Sequence, residues 1–268
     1  MVVDGRAIAR KIIKRLRAQK TPAKTLVALI VDGASSAEKF LVQKEKIAKK
    51  LGVNFKICRF SALTATTESI LKSLRDYCGS ENVGGVIIER PLPVFIDVRM
   101  LLKEITPAKN VEAVNELALL VEPATKTFFT ILSEIKRDLA GQNIAAIGRS
   151  ETVALPIGRF LNKERERLKY QSFTIIPARE LYKRAWTECL KSADIVVAAA
   201  RIPNLITEEK IKEGVVVIDF GKNVDFENCK NRASFITPPH GGVGPILVAH
   251  VFSNFYALNG STPFSLIC

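Results

Sequence analysis

No CxxC pair, no clustered histidines and no Gly-x-Gly-x-x-Gly run occur in this 268-residue chain. Its five cysteines (Cys58, Cys78, Cys189, Cys229 and Cys268) are scattered and odd in number, so neither a zinc site nor a disulfide framework is indicated. Reduced thiols in the cytoplasm are the simplest reading. The two histidines lack the spacing of a metal pair, and no serine sits in a nucleophile elbow. Metal-dependent and acyl-enzyme chemistries are therefore disfavoured. No apolar run approaches the roughly 20 residues that cross a bilayer, and no membrane association is expected. The start lacks an apolar secretory core, whereas the basic, amphipathic stretch from Arg6 to Lys20 leaves a mitochondrial presequence open.

Acidic residues are scarce at the start of the chain. Residues 1–60 carry 15 Lys/Arg against 4 Asp/Glu, which is +11 of the net +13. A basic surface concentrates anions and speeds their association. Nucleic acid is a poor candidate, because aromatics are sparse there and no recognised motif is present. A polyanionic small molecule or a plain solvated surface accounts for the charge as well. The length allows one large domain or two medium ones, and 47% hydrophobic residues suffice for a substantial core.

Two similar patterns follow one another. Residues 6–19 have helical spacing (Ile8, Ile12, Ile13, Leu16), and Leu26–Val31 is a continuous apolar run that suits a buried parallel strand. Asp32-Gly33 ends it, and Ser35 or Ser36 opens a helix to about Lys50. Asn54–Phe60, Glu68–Tyr77 and Gly85–Ile88 then read as strand, helix and strand. A helix over about 124–140 leads to four further strands, at Asn143–Gly148, Phe173–Ile176, Ile195–Ala199 and Val215–Asp219, with helices between. Alternation of this kind predicts an α/β protein with two parallel-sheet domains, the second Rossmann-like. The boundary falls near residues 115–123, and about 246–262 forms a last helix packing back on another element.

Four segments are candidates for chemistry. Thr237-Pro238-Pro239-His240-Gly241-Gly242-Val243-Gly244-Pro245 cannot continue a helix or a central strand, and reads as a shaped loop whose glycines let a ligand approach the backbone. Phe40 and Lys44 lie four residues apart on one helix, a ring to stack a flat substrate beside an amine to move protons. Set among Lys39, Lys46, Lys49 and Lys50, however, Lys44 reads more readily as one of a solvated row. Glu89-Arg90-Pro91-Leu92-Pro93 leaves a strand at the end where ligands collect, though an ordinary strand exit fits as well. Gly148-Arg149-Ser150 sits between strand and helix, where a dinucleotide phosphate meets helix amides. An Arg there suits a 2′-phosphate and so NADP over NAD, with Arg179 as a second contact.

In this order, the segments resemble the bifunctional methylenetetrahydrofolate dehydrogenase/methenyltetrahydrofolate cyclohydrolase family. The likeness runs from Asp4-Gly5-Arg6 through Arg90-Pro91-Leu92-Pro93 and Gly148-Arg149-Ser150, with Val153 and Pro156, to Ala193-Asp194-Ile195. It continues in Val217-Ile218-Asp219 with Gly221 and Asn223, and in Ile236-Thr237-Pro238 before Gly241-Gly242-Val243-Gly244-Pro245. The resemblance implies a catalytic domain over 1–118 completed by a helix over 247–268, an NADP domain over 119–246, and a cleft between them. It implies oxidation of 5,10-methylenetetrahydrofolate to the methenyl form, hydrolysis to 10-formyltetrahydrofolate, and a homodimer. Lys44, Glu89 and Glu112 would be catalytic, with Phe40, Arg90, Pro91, Leu92, Pro245 and Ile246 at the substrate. Gly148, Arg149, Ser150, Arg179, Ala200, Lys222, Gly241 and Gly242 would meet the cofactor.

The departures from the family are informative. Its tyrosine is Phe40 here, its glutamine before the prolines is Glu89, and its Lys-Asp-Val-Asp-Gly reads Lys109-Asn110-Val111-Glu112-Ala113. The glycine after Val153 is Ala154, the glycine expected near Arg201 is missing, His-Ser is Pro177-Ala178, and Lys222 replaces an apolar residue. A carboxylate at Glu89 beside Lys44 would hold the amine as ammonium, which hinders the hydrolytic step more than hydride transfer. Two other readings stay open: a weakly active or inactive relative that binds folate or NADP, and another two-domain dehydrogenase.

Overall fold

The computed structural model describes residues 1–33 and 35–260. The elements run α1 (Gly5–Arg17), β1 (Thr25–Val31), α2 (Ser35–Leu51), β2 (Phe55–Phe60), α3 (Thr67–Gly79), β3 (Val83–Ile88) and α4 (Val98–Glu104). They continue with α5 (Pro123–Glu134), β4 (Asn143–Ile147), α6 (Ala154–Lys163), α7 (Arg165–Leu168), β5 (Ser172–Ile176) and α8 (Arg184–Ser192). The last are β6 (Ile195–Ala198), β7 (Val216–Asp219), α9 (Phe226–Arg232), β8 (Phe235–Ile236) and α10 (Val243–Leu258). The helix expected up to residue 262 thus ends at Leu258, and residues 261–268 lie outside the described residues.

Two compact units result, one holding residues 10–123 and 248–260, the other 1–9 and 124–247. The first unit contains a parallel sheet in the order β2-β1-β3. Leu26 to Val31 of β1 are each at most 2% exposed, and each Leu, Ile or Val side chain among them contributes about 1.5–3 kcal/mol by leaving water. β3 is buried along its length, whereas β2, at the edge, alternates partly buried and exposed residues. Two glycines in β3 bring other segments close. A Cβ at Gly85 would lie 2.5 Å from Val111 Cγ1 and 3.1 Å from Phe255 Cδ2, and one at Gly84 would meet Asn259. The C-terminal half of α10 seats here, with Asn254 donating from Nδ2 to Val111 O (2.8 Å) and Val121 O (3.1 Å).

The second unit carries a five-stranded parallel sheet in the order β5-β4-β6-β7-β8. β4 opens the unit, β5 adds on one side and β6 on the other, so the strand order reverses between β4 and β6. Ligands in open α/β sheets bind at such a point, beyond the carboxyl ends of the strands. The first residues cover the free edge of β8: Val3 N donates to Ile236 O (2.9 Å), and Ile236 N to Met1 O (3.0 Å). Sequence alone groups these residues with the first domain.

The helix expected to reach residue 140 stops at Glu134. Lys136 takes φ 52°, while Lys136 N and Arg137 N donate to Ser133 O and Leu132 O. This is a Schellman ending without its usual glycine.

Gly5 tests the packing of α1 against the glycine loop, because a Cβ there would lie 1.7 Å from Gly242 O, a backbone atom. Gly5→Ala is expected to destabilise the fold by about 3 kcal/mol or more. Gly79→Ala, which meets nothing within 4 Å, should change stability by less than about 0.5 kcal/mol. Denaturant midpoints measure both, and equal effects would refute the assigned packing.

Candidate active site

The buried residues of α2 are Ala37, Leu41, Lys44, Ile47, Ala48 and Leu51, a stripe at helical spacing. Lys44 occupies a core-facing position in it. Its neighbours Lys39, Lys46, Lys49 and Lys50 are exposed, so the solvated-row reading fails for Lys44 alone. A lysine 3% exposed keeps its charge in that position at far lower cost with anionic partners.

Two partners are present. Lys44 Nζ donates to Glu89 Oε1 at 2.6 Å and lies 3.6 Å from Glu112 Oε1. Glu112 Oε2 lies 3.6 Å from Arg90 Nη2. Arg90, Glu112, Lys44 and Glu89 thus alternate in charge. Glu89 is fixed by the sheet, its N–H donating to Leu29 O at 2.9 Å as an extension of the β1–β3 ladder. Glu112 is fixed by its flanks. Asn110 bridges to Val86 of β3, and its Nδ2 donates to Asn115 Oδ1 (2.9 Å). Asn115 in turn donates to Leu102 O and Ile105 O, both at 2.9 Å.

Burial pushes the Glu89 carboxyl above its ordinary value of 4.5. Lys44 pulls it back, and the Glu112 charge adds to the rise. The ring of Phe40, one turn before Lys44, is 37% exposed. Pro91 is exposed and Leu92 half-buried beside the core under β3. Pro245 and Ile246 stand in the first turns of α10 within the second unit, Pro245 half-buried and Ile246 fully buried.

In the second unit, the turns after β4 and β6 cross closely. Gly148 has φ 93°, and a Cβ on it would lie 2.9 Å from Ala200 Cα. No side chain caps α6, but Leu155 N already donates to Ser150 O (3.0 Å) and Ile157 N to Val153 O (3.1 Å), and Pro156 has no N–H, so the anion-binding groups of this turn are its arginines rather than a row of free amides. Ser150 accepts from Thr152 N at 3.3 Å and shapes the turn itself. Arg149 and Arg179 are both exposed, and among the described residues neither pairs with a carboxylate. These features fit the phosphates of a dinucleotide.

The turn after β7 is held by Asp219, whose carboxylate accepts from Gly221 N (2.9 Å), Asn223 N (2.7 Å), Asn223 Nδ2 (2.8 Å) and Val224 N (3.0 Å). Asn223 Oδ1 accepts from Ile202 N at 3.1 Å, tying this turn to the one after β6. The glycines of the long loop allow close approach of other parts of the chain. Gly241 faces the Arg6 side chain, and the space beside Gly242 is filled by Pro238, so both serve close packing of the chain on itself.

Elsewhere left-handed bends are carried by residues other than glycine. Ala113 and Arg201 take φ 52° and 58°, and Lys222 also takes 58°. Each such residue costs about 1–2 kcal/mol relative to right-handed backbone.

Sequence reasoning missed Lys126 of α5, which is 2% exposed and pushed down to about 8 by burial. Its only sequence signal is a lysine inside the apolar start of a helix. Asn254 was also missed, since an amide on a hydrophobic helix gives no hint of two distant carbonyl partners.

A buried amine–carboxylate centre in one α/β unit, and a turn with exposed arginines at a strand-order reversal in the other, define a nucleotide-dependent enzyme. The chain matches the tetrahydrofolate dehydrogenase/cyclohydrolase catalytic domain over residues 3–112 and the NAD(P)-binding domain over 123–261. It is 31% identical over 280 residues to the bifunctional protein FolD of Staphylococcus aureus, covering 94% of each chain. A 5,10-methylenetetrahydrofolate dehydrogenase from the silkworm Bombyx mori superposes with a TM-score of 0.86 at 25% identity, over 96% of this chain and 97% of that one. The methylenetetrahydrofolate dehydrogenase-cyclohydrolase of Trypanosoma brucei, solved with NADP cofactor and inhibitor, gives 0.87 at 23% identity over 96% of each. The chain belongs to the tetrahydrofolate dehydrogenase/cyclohydrolase family.

Because Glu89 titrates above 4.5 in the folded chain, the stability it contributes is complete below pH 4.5 and is lost as pH rises through the folded value. The Tm of wild type should therefore fall relative to that of Glu89→Gln as pH rises from 4.5 to neutrality. Calorimetry across this range checks the sign, and an opposite slope would contradict the burial of this carboxyl.

Proposed function

We infer that the chain oxidises 5,10-methylenetetrahydrofolate to 5,10-methenyltetrahydrofolate with NADP and hydrolyses the product to 10-formyltetrahydrofolate. The observation that carries this reading is the buried Lys44 amine, 2.6 Å from Glu89, within the unit that matches the family's catalytic domain. NADP, when bound, accepts the hydride. Lys44 acts on protons at its Nζ, Glu112 anchors the N–H edge of the pterin, and the Phe40 ring offers it a stacking face. Arg90 holds Glu112 in place, and the Pro91-Leu92 turn borders the substrate, as do Pro245 and Ile246. Gly148, Ser150, Ala200, Gly241 and Gly242 shape the nucleotide loops, with Lys222 as a further cation. Arg149 and Arg179 pair with the 2′-phosphate, which favours NADP over NAD.

The protein acts in the cytoplasm as a homodimer, with tetrahydrofolate derivatives as its small-molecule partners and neither nucleic acid nor membrane. Among the described residues, no helix is long and apolar enough to cross a membrane. β2 supports the dimer, because one side of this strand has no neighbour in its sheet, and such edges pair readily with another copy. Sedimentation should give twice the 29.6 kDa chain mass, and a monomer at micromolar concentration would refute the dimer.

Purified protein should form methenyltetrahydrofolate, read by absorbance, when given the methylene compound and NADP. Absence of this reaction would overturn the reading. Arg149→Ala should lower kcat/KM with NADP about tenfold or more and change that with NAD much less. Equal losses with both nucleotides would remove the 2′-phosphate role.

A further inference from the structure

Resting on that reading, we propose that Glu89 sets the balance between the two steps, holding a proton on the Lys44 amine and so favouring hydride transfer over hydrolysis. The two reactions place different demands on this amine. Hydride transfer moves a C–H electron pair with its hydrogen and asks no proton of Lys44. Hydrolysis adds water to the methenyl carbon: the C–O bond forms, the C=N π pair returns to nitrogen, and one water proton passes to a base. The second water proton then moves to N5 as the C–N5 bond breaks, leaving the 10-formyl product and one proton released overall. Only an unprotonated amine accepts the first proton.

The surroundings of Nζ oppose that state. Glu89 Oε1 sits at 2.6 Å and Glu112 Oε1 at 3.6 Å, against a single further cation, Arg90, which lies on the far side of Glu112. These three groups, from the end of β3 and from the segment after α4, form the charged chain around Lys44 among the described residues. The Lys44 and Glu89 side chains are 4% and 3% exposed, so little water is present to screen the pair. An opposite charge this close, in a site with little water, favours the charged form of its partner. An uncharged amide of the same shape would remove the larger share. Burial raises the Glu89 carboxyl, so the hold is complete only once that carboxyl has ionised.

The test compares wild type, Glu89→Gln and Glu89→Asp in two assays: hydrolysis of methenyltetrahydrofolate without nucleotide, and oxidation of methylenetetrahydrofolate with NADP. Glu89→Gln should raise the ratio of hydrolysis to oxidation about tenfold or more at neutral pH. It should also move the rising limb of the hydrolysis pH profile to lower pH. Glu89→Asp, which keeps the charge, should stay near the wild-type ratio. A packing role would disturb both variants alike and leave the pH limb in place, and that result overturns the proposal. So does loss of hydrolysis in Glu89→Gln, which would make Glu89 itself the base. Oxidation with an unchanged ratio sinks this inference alone, whereas absence of oxidation in all three proteins sinks the underlying reading.

Discussion

An ammonium group and a carboxylate held together away from water tolerate little error in position. Removing one partner of such a pair costs about 3–5 kcal/mol, because the other charge stays buried. Lys44 and Glu89 stand in that relation, and much of the first unit is arranged to keep them there. The apolar stripe of α2 directs the lysine inward, the β1–β3 ladder extends one residue to fix the glutamate, and the Asn110–Asn115 network brings Glu112 to the other side. The same pair that constrains the fold constrains the chemistry, since an amine that accepts protons must first give one up.

Close backbone approaches do the positioning. Gly85 lets Val111 and Phe255 pack on β3 and so sets where Glu112 begins, while Gly148 lets the turns after β4 and β6 cross. In each case a missing methyl group decides the distance between two segments far apart in the chain. The carboxylate of Asp219 does comparable work with four hydrogen bonds, holding a turn that has little apolar material of its own.

Most strands are legible because they are short apolar runs bounded by turn residues, and the alternation with helices is enough to give two parallel sheets. Ends were less legible. α5 stops six residues early because Lys136 adopts the left-handed conformation normally signalled by glycine. Lys44 was visible as a candidate but hidden among other lysines. Its place in the stripe Ala37, Leu41, Lys44, Ala48, Leu51 is the signal that separates it from them. Glu112 and Asn254 were not legible in this way, since their partners lie on other elements and no local spacing encodes them. The edge pairing of residues 1–3 on β8 is a backbone contact that side-chain patterns do not announce.

Ala113, Arg201 and Lys222 hold left-handed bends without being glycine themselves, the last two with Gly221 packed beside them. A left-handed bend is thus held by a residue with a side chain where neighbouring hydrogen bonds and packing bear the cost.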